Sequence, residues 1–409
     1  MKYVIIGNSA AAVGCIEGIR KNDKTGSVTV ISSERYHTYS RPLISYLIEG
    51  RTDEERMKYR PDSFYQDNNC TFMPSCTVVR IDPKEKKVYL DNGKSVPYDK
   101  LLLGTGSVPL VPPFAGLDTV ERKFTFMSLD DAHALQNALD DRPSVLIVGA
   151  GLIGLKCAEA IAEKTSRITV VDLSDHILPS IFDAQSARPV QTVLEEHGIS
   201  FILGAGVKSF HGNTALLDNG EQVDFSVLVI AVGVRPNVAL LREIGGEINR
   251  GIIVNEKSET SVPDIYAAGD CAESFDISCD TRRMLALLPN AYLQGECAGY
   301  NMTGTPREFN NAIPMNAIGF FGLHIVTAGS YIGEEYTEQS DTAFKKLFYR
   351  DGLLRGFIMI GDVANAGIYT SMIRNRTPLS QCDFDLLCHK PCLAAYQAQK
   401  RRDLLTVPQ

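Results

Sequence analysis

The sequence predicts an α/β fold: two parallel-sheet units built on one plan, one inserted into the other, followed by a smaller α+β domain. Three observations carry this. Residues 3–12 and 145–154 each run from an apolar strand through a small-residue turn into a helix. Each turn is followed, 97 and 82 residues after its first glycine, by a second apolar strand, a small-x-Gly turn and a proline. From residue 306 onward the pattern changes to short strand-like segments joined by tight turns.

Composition bounds the function. The 409 residues suit two to three domains at roughly 150 residues each. With 44% apolar and 22% charged residues the chain can bury a sizeable core. A net charge of −8 gives no electrostatic reason to bind nucleic acid or an anionic membrane. No apolar run approaches about 18 residues, so no transmembrane helix is expected. Ten cysteines without paired spacings read as thiols of a reduced, cytoplasmic protein rather than as a disulfide framework. The N-terminal apolar run, with Ser9-Ala10-Ala11, has the outline of a signal peptide. Asn8 interrupts it, and Glu17 and Arg20 follow on the helix, so it reads as strand, turn and helix.

In the first unit, Tyr3-Val4-Ile5-Ile6 leads to Gly7-Asn8-Ser9-Ala10-Ala11-Ala12, a helix, and a strand over residues 27–32 that ends at Ser33 and Glu34. Ser9 and Ala12 replace the second and third glycines, so this stretch alone is equally an ordinary strand–helix turn. The second unit is complete. Val145-Leu146-Ile147-Val148 enters Gly149-Ala150-Gly151-Leu152-Ile153-Gly154, and the next strand ends at Asp172, 23 residues after Gly149. The glycines allow a tight turn, backbone approach to a pyrophosphate and close helix–strand packing, while the helix N-terminus faces the anion. Asp172 stands where a ribose-binding carboxylate belongs.

Each unit then repeats a second signal. Leu101-Leu102-Leu103 precedes Gly104-Thr105-Gly106-Ser107-Val108-Pro109, and Leu228-Val229-Ile230 precedes Ala231-Val232-Gly233-Val234-Arg235-Pro236. Beyond both, Ser261-Val262-Pro263-Asp264-Ile265-Tyr266-Ala267-Ala268-Gly269-Asp270 delivers a carboxylate behind three small residues that let a cofactor come close. Two Rossmann-like dinucleotide-binding domains result: residues 1–112 with 236–305, and residues 113–235 between them. Residues 306–409 form a third, α+β domain, with strands expected over 312–321, 323–328, 343–349 and 353–360. Arg350-Asp351-Gly352 supplies a hairpin turn, and a helix closes the chain. Cys382, Cys388, His389 and Cys392 lie close together, but C-x₅-C-H-x₂-C lacks matched metal-ligand pairs, so no metal is expected.

These motifs, in this order along nearly the whole chain, resemble the pyridine nucleotide–disulfide oxidoreductase superfamily. The resemblance implies that Gly7, Asn8, Ser9, Ala10, Ala11 and Glu34 hold the pyrophosphate and adenosine ribose of FAD, and Asp270 its ribityl chain. Ser33 stands where relatives often carry a first acid. Arg41, Pro42 and Val78 join the FAD set, and Thr105-Gly106 cross near the flavin. The helix around Asn290-Ala291-Tyr292-Leu293-Gln294 directs its N-terminus at the pyrimidine edge, where its dipole favours negative charge. NADH falls to Gly149, Gly151, Leu152, Ile153, Gly154, Asp172 and Gly233.

Disulfide reductases of the superfamily carry a redox cysteine soon after the second strand. Here Tyr36-His37-Thr38-Tyr39-Ser40-Arg41-Pro42-Leu43-Ile44-Ser45-Tyr46-Leu47 has none, and Cys15 reads as core. The Arg-Pro-Leu-Ile-Ser run resembles reductases of small electron carriers, such as rubredoxin reductases, and the flavin part of assimilatory nitrite reductase. The segments at 313–322 and 365–370 resemble a bacterial branch associated with ferredoxin-like iron–sulfur proteins. Relatives use the third domain to form dimers or to roof the flavin. They also place a Lys after that run, paired near flavin N5 with a Glu two residues past the third glycine. Here those positions hold Tyr46 and Lys156, the candidate catalytic residues. Lys156 either orients the nicotinamide and stabilises reduced flavin, or extends into solvent.

The expected function is an FAD-dependent oxidoreductase passing electrons from NADH to a small iron–sulfur or rubredoxin-type carrier without a dithiol relay. The alternatives are an NADH oxidase or peroxidase, and a flavin-bearing scaffold without turnover. Lys345, Lys346, Arg350, Arg355, Arg374, Arg376 and Lys400-Arg401-Arg402 could dock an acidic carrier or serve as solvated surface charge.

Overall fold

The computed structural model describes residues 1–139, 141–398, 401 and 402. Its organising elements are two five-stranded sheets whose strand pairings are all parallel. The first runs Cys70–Met73, Ser27–Ile31, Lys2–Ile6, Lys100–Leu103, Ile265–Ala267. The second runs Ile199–Leu203, Arg167–Asp172, Ser144–Val148, Val227–Ile230, Lys123–Phe124. The order is the same in both, counted from the glycine-turn strand at the centre. The fifth strand differs in origin: in the first sheet it comes from beyond the second, and in the second it precedes the glycine-turn strand. Central strands such as Val145-Leu146-Ile147-Val148 are buried along their whole length, which is why they read as continuous apolar runs.

Each sheet carries a three-stranded antiparallel appendage, at residues 78–97 after Cys70–Met73 and at residues 207–224 after Ile199–Leu203. The two proline-ended signals pair with each other: Ser107 opposes Pro236, Val108 opposes Arg235 and Pro109 opposes Val234. The two crossings between the units therefore form one antiparallel ribbon.

Two helices lie side by side against the first sheet, Ala10–Asn22 and Leu288–Met302. They run parallel, because Gly14 and Gly18 meet Tyr292 and Glu296 in ascending order, as Gly295 and Gly299 meet Ala11 and Cys15. A Cβ on Gly295 would lie 2.0 Å from the Ala11 carbonyl oxygen, and one on Gly14 would lie 2.1 Å from that of Tyr292. Only glycine permits this spacing, and the result is that both helix N-termini emerge on one edge.

The C-terminal sheet is antiparallel, in the order Met315–Phe320, Leu323–Gly329, Leu353–Ile360, Phe344–Arg350, Glu334–Gln339. The helices Ala366–Arg374 and Phe384–His389 pack on it through Tyr369, Met372, Ile373 and Leu387. Strand Glu334–Gln339 was not anticipated. It is an edge strand, mostly exposed, so no apolar alternation marks it. Residues 403–409, the end of the expected third domain, lie outside the described residues, as does Lys400.

Candidate functional site

The first glycine turn is built by close approach. Gly7 has φ +109°, and a Cβ there would sit 2.0 Å from the Gly104 carbonyl oxygen. Asn8 is fixed from both ends, donating to the Tyr36 carbonyl at 3.2 Å and accepting from the Tyr65 hydroxyl at 2.6 Å. Ser9 is the N-cap residue of Ala10–Asn22, with its side chain unused for capping. Gly269 draws the remaining pieces in. A Cβ at that position would be 3.2 Å from the Cβ of Ala11 and 3.5 Å from that of Ala291, so the two parallel helix N-termini and the Asp270 turn converge on one point. Gln294 accepts from the Gly269 N–H at 2.9 Å, and Asn290 donates to the Ile313 carbonyl at 3.0 Å.

Asp270 follows that turn. Burial pushes its carboxyl above the ordinary range, partly offset by the Ser107 hydroxyl at 3.4 Å and the charge of Arg41. A half-buried carboxylate with one weak partner suits a ligand that brings hydroxyl donors. Thr105 donates to the Asn237 carbonyl at 2.7 Å and Gly106, with φ +62°, accepts from the Asn237 N–H at 2.9 Å, tying both signals together. Glu34 forms an ion pair with Arg41 and accepts from the Tyr39 hydroxyl at 2.8 Å, while Ser33 is exposed. Pro42 opens the short turn after Arg41, and Val78 is buried in the same cluster as Ile6 and Ile31.

The second turn repeats the geometry. Gly149 has φ +115° and its Cβ would fall 2.3 Å from the Ala231 carbonyl oxygen; a Cβ on Gly154 would fall 2.0 Å from that of Gly149. Gly151 is the N-cap residue of Leu152–Ile161, and a Cβ there would enter open space, which leaves the backbone accessible to an anion. Leu152 and Ile153, the first residues of that helix, are half-buried. Asp172 accepts from the N–H groups of Ala150, at 2.7 Å, and Ser174, at 2.8 Å, which orients its carboxylate beside the turn. Gly233, with φ +113°, is exposed and accepts from the Leu110 N–H at 3.0 Å.

Lys156 and Tyr46 meet across the two units, the ammonium 5.0 Å from the ring centroid. Of the two readings of Lys156, the extension into solvent does not occur: its side chain is 18% exposed and paired with Glu159. An acid stands three residues later instead, at Glu159, paired with Lys156 itself. Sequence reasoning missed Glu159, although the Lys-x-x-Glu spacing was its signal.

The basic residues of the third domain are also reassigned. Lys346 and Arg355 are buried, held by Asp183 with Glu335 and by Asp280 with Asp351. Lys345 pairs with Glu338, Arg350 with Asp351 and Arg376 with Asp280. Acids of the same chain pair with each of these five cations, whereas Arg374 is exposed. No disulfide joins the described cysteines. Burial pushes the Cys70, Cys297 and Cys388 thiols up to about 11 and raises Cys15, Cys157 and Cys271 as well. Cys388 is buried between the C-terminal helices and sheet, with Cys382 and Cys392 packed beside it. Among the described residues no group of three His, Cys, Asp or Glu is placed to hold a metal, and no helix is long and apolar enough to cross a membrane.

Comparison with known proteins agrees with this geometry. A family model described as pyridine nucleotide-disulphide oxidoreductase matches residues 1–295. The chain is 30% identical, over 93% of its length and 93% of the relative's, to NADH-dependent phenylglyoxylate dehydrogenase subunit epsilon of Aromatoleum evansii. It is 29% identical, over 75% of its length and 80% of the relative's, to rubredoxin-NAD(+) reductase of Pseudomonas putida. Among solved structures, the covalent putidaredoxin reductase–putidaredoxin complex aligns with a TM-score of 0.88 at 21% identity, covering 96% of this chain and 98% of that one.

Proposed function

The chain belongs to the pyridine nucleotide-disulphide oxidoreductase family, and from that premise we propose that it is an FAD-dependent NADH:electron-carrier oxidoreductase whose acceptor is a small iron–sulfur or rubredoxin-type protein. The observation that carries the reading is the pair of glycine-turn cradles, each with its own carboxylate, set against a segment, residues 36–47, that contains no cysteine. Bound FAD supplies the chemistry of accepting two electrons from NADH and releasing them singly, so no thiol relay is required. The relatives' names support the acceptor class: one reduces rubredoxin and one is complexed with putidaredoxin.

The residues divide the work. Gly7, Asn8, Ser9, Ala10 and Ala11 present the first helix N-terminus to the FAD pyrophosphate, with Glu34 and Arg41 at the ribose end and Val78 beneath the same edge. Asp270 accepts from the ribityl hydroxyls. Ala291 lies in the first turn of Leu288–Met302, whose N-terminus faces the pyrimidine edge and stabilises the charge that reduction places there. Gly149, Gly151 and Gly154 seat NADH and Asp172 takes its ribose hydroxyls. Residues 1–112 with 236–305 make the FAD domain, 113–235 the NADH domain and 306–409 the interface domain.

Anaerobic mixing with NADH in a stopped-flow instrument should bleach the flavin absorbance, and a rubredoxin or ferredoxin added afterwards should restore it in one-electron steps. A flavin that NADH leaves unreduced would refute the proposal.

A further inference from the structure

One ion pair lies where all three parts of the fold meet. Lys156, in the first turn past Gly154, reaches 5.0 Å from the Tyr46 ring centroid, on the FAD side, and 5.4 Å from that of Phe320, in the C-terminal sheet. Its ammonium also donates to the Gly319 carbonyl at 3.2 Å. Glu159, 8% exposed, holds that ammonium with one carboxylate oxygen, and its other oxygen accepts from the Phe321 N–H at 2.7 Å. Phe321 sits at φ +47° in the turn between strands Met315–Phe320 and Leu323–Gly329, and its ring stacks on His197 at 3.9 Å. Arg51 lies 4.4 Å from the Tyr46 ring and is paired with Glu49.

Helix stability does not explain the pair. Lys156 is the fifth residue of Leu152–Ile161, in the half of the helix whose dipole does not favour a cation, and Lys preceding Glu is the weaker orientation. A side chain satisfying the helix alone would extend into water. Instead the ammonium is enclosed by residues from three segments, and Glu159 contacts two of those parts at once.

We infer that Glu159 is a positioning residue for the reductive step: it acts through Lys156, holding the ammonium against Tyr46, and ties that placement to the β-turn at Phe321. This rests on the function proposed above. The step moves a hydride, two electrons with one proton, from NADH to bound FAD, leaving NAD⁺ and reduced FAD with one added negative charge. A fixed cation at the junction favours that added charge only while it is held in place.

The test is a double-mutant cycle on the FAD-loaded protein, read by anaerobic stopped-flow with NADH and by the midpoint potential of the bound flavin. Glu159→Gln should slow flavin reduction at least fivefold and move the midpoint potential. In a Lys156→Gln background the same change should alter the rate less than twofold and leave the potential where Lys156→Gln set it. A contact that only stabilised the fold would not show this dependence on Lys156. Where Glu159→Gln alone does not fold, the double variant, which leaves no unpaired buried charge, is compared with Lys156→Gln: equal rates support the inference and unequal rates overturn it. A Glu159→Gln rate within twofold of the unaltered protein, or an equal effect in both backgrounds, overturns the inference alone. Failure of NADH to bleach the unaltered protein overturns the functional reading and the inference with it.

Discussion

Gly7 and Gly149 occupy the same place in the two units, and each faces a carbonyl oxygen that a Cβ would overlap, at 2.0 and 2.3 Å. Their substitutions should separate the two cofactors. Gly7→Ala should yield protein with less than about a tenth of its FAD, read from the visible spectrum, given steric overlap added to a strained φ. Gly149→Ala should keep its FAD and weaken NADH binding at least tenfold, about 1.4 kcal/mol, by titration. On the proposed function, Asp172 should decide between the nicotinamide cofactors. Its carboxylate accepts ribose hydroxyls and repels a 2′-phosphate, and neither Leu173 nor Ser174 brings a cation. NADH should exceed NADPH in kcat/KM by on the order of tenfold or more, and Asp172→Ala should narrow the gap. Asp270 adds a pH signature. Its folded carboxyl is raised by burial, so the FAD-free fold binds a proton that the unfolded chain releases. Stability of the apoprotein should therefore fall as pH rises past the unfolded value of about 3.9. Asp270→Asn should raise the apoprotein Tm at neutral pH, flatten its pH dependence and weaken FAD at least tenfold, about 1.4 kcal/mol.

At the scale of elements, the contact between Ala10–Asn22 and Leu288–Met302 sets where two helix N-termini point. Gly295→Ala should force the pair apart, at a cost of about 1–3 kcal/mol for overpacking. Thermal unfolding followed by flavin fluorescence should show a lower Tm and earlier FAD release. Where elements were legible in the sequence, the reason is burial. Strands Lys2–Ile6, Ser144–Val148 and Val227–Ile230 are covered on both faces and read as unbroken apolar runs, and Gly7, Gly149 and Gly154 stand where a Cβ cannot. Where burial does not write itself into side-chain type, the reading failed. Strand Glu334–Gln339 is exposed, charged and at a sheet edge. Lys346 and Arg355 look like surface cations by composition, yet each is buried against an acid remote in sequence, Asp183 at a separation of 163 residues and Asp280 at 75. Glu159 is an unremarkable helix residue until the C-terminal turn is folded onto it.

For the molecule as a whole, the lack of a cysteine in residues 36–47 has a direct readout. Cys15, Cys157, Cys271, Cys297 and Cys388 are buried, and burial holds their thiols protonated at neutral pH. NADH-driven reduction of a one-electron acceptor should keep most of its rate after iodoacetamide treatment. Loss of turnover with FAD retained would place a thiol in the electron path.

The strand Ile265–Ala267 pairs with Lys100–Leu103 only after the whole of the second sheet has been written into the chain between them. During synthesis, the second sheet has all of its strands once residue 230 has emerged, whereas the first waits with an unpaired edge at Lys100–Leu103 until Ile265–Ala267 and then Leu288–Met302 arrive. The half that begins the chain is thus the half that closes last. On the proposed function, a nascent chain halted between these points would hold the pocket for the nicotinamide nucleotide and lack the one for the flavin. Loading of the prosthetic group is in this way deferred until the rest of the enzyme's nucleotide machinery already exists.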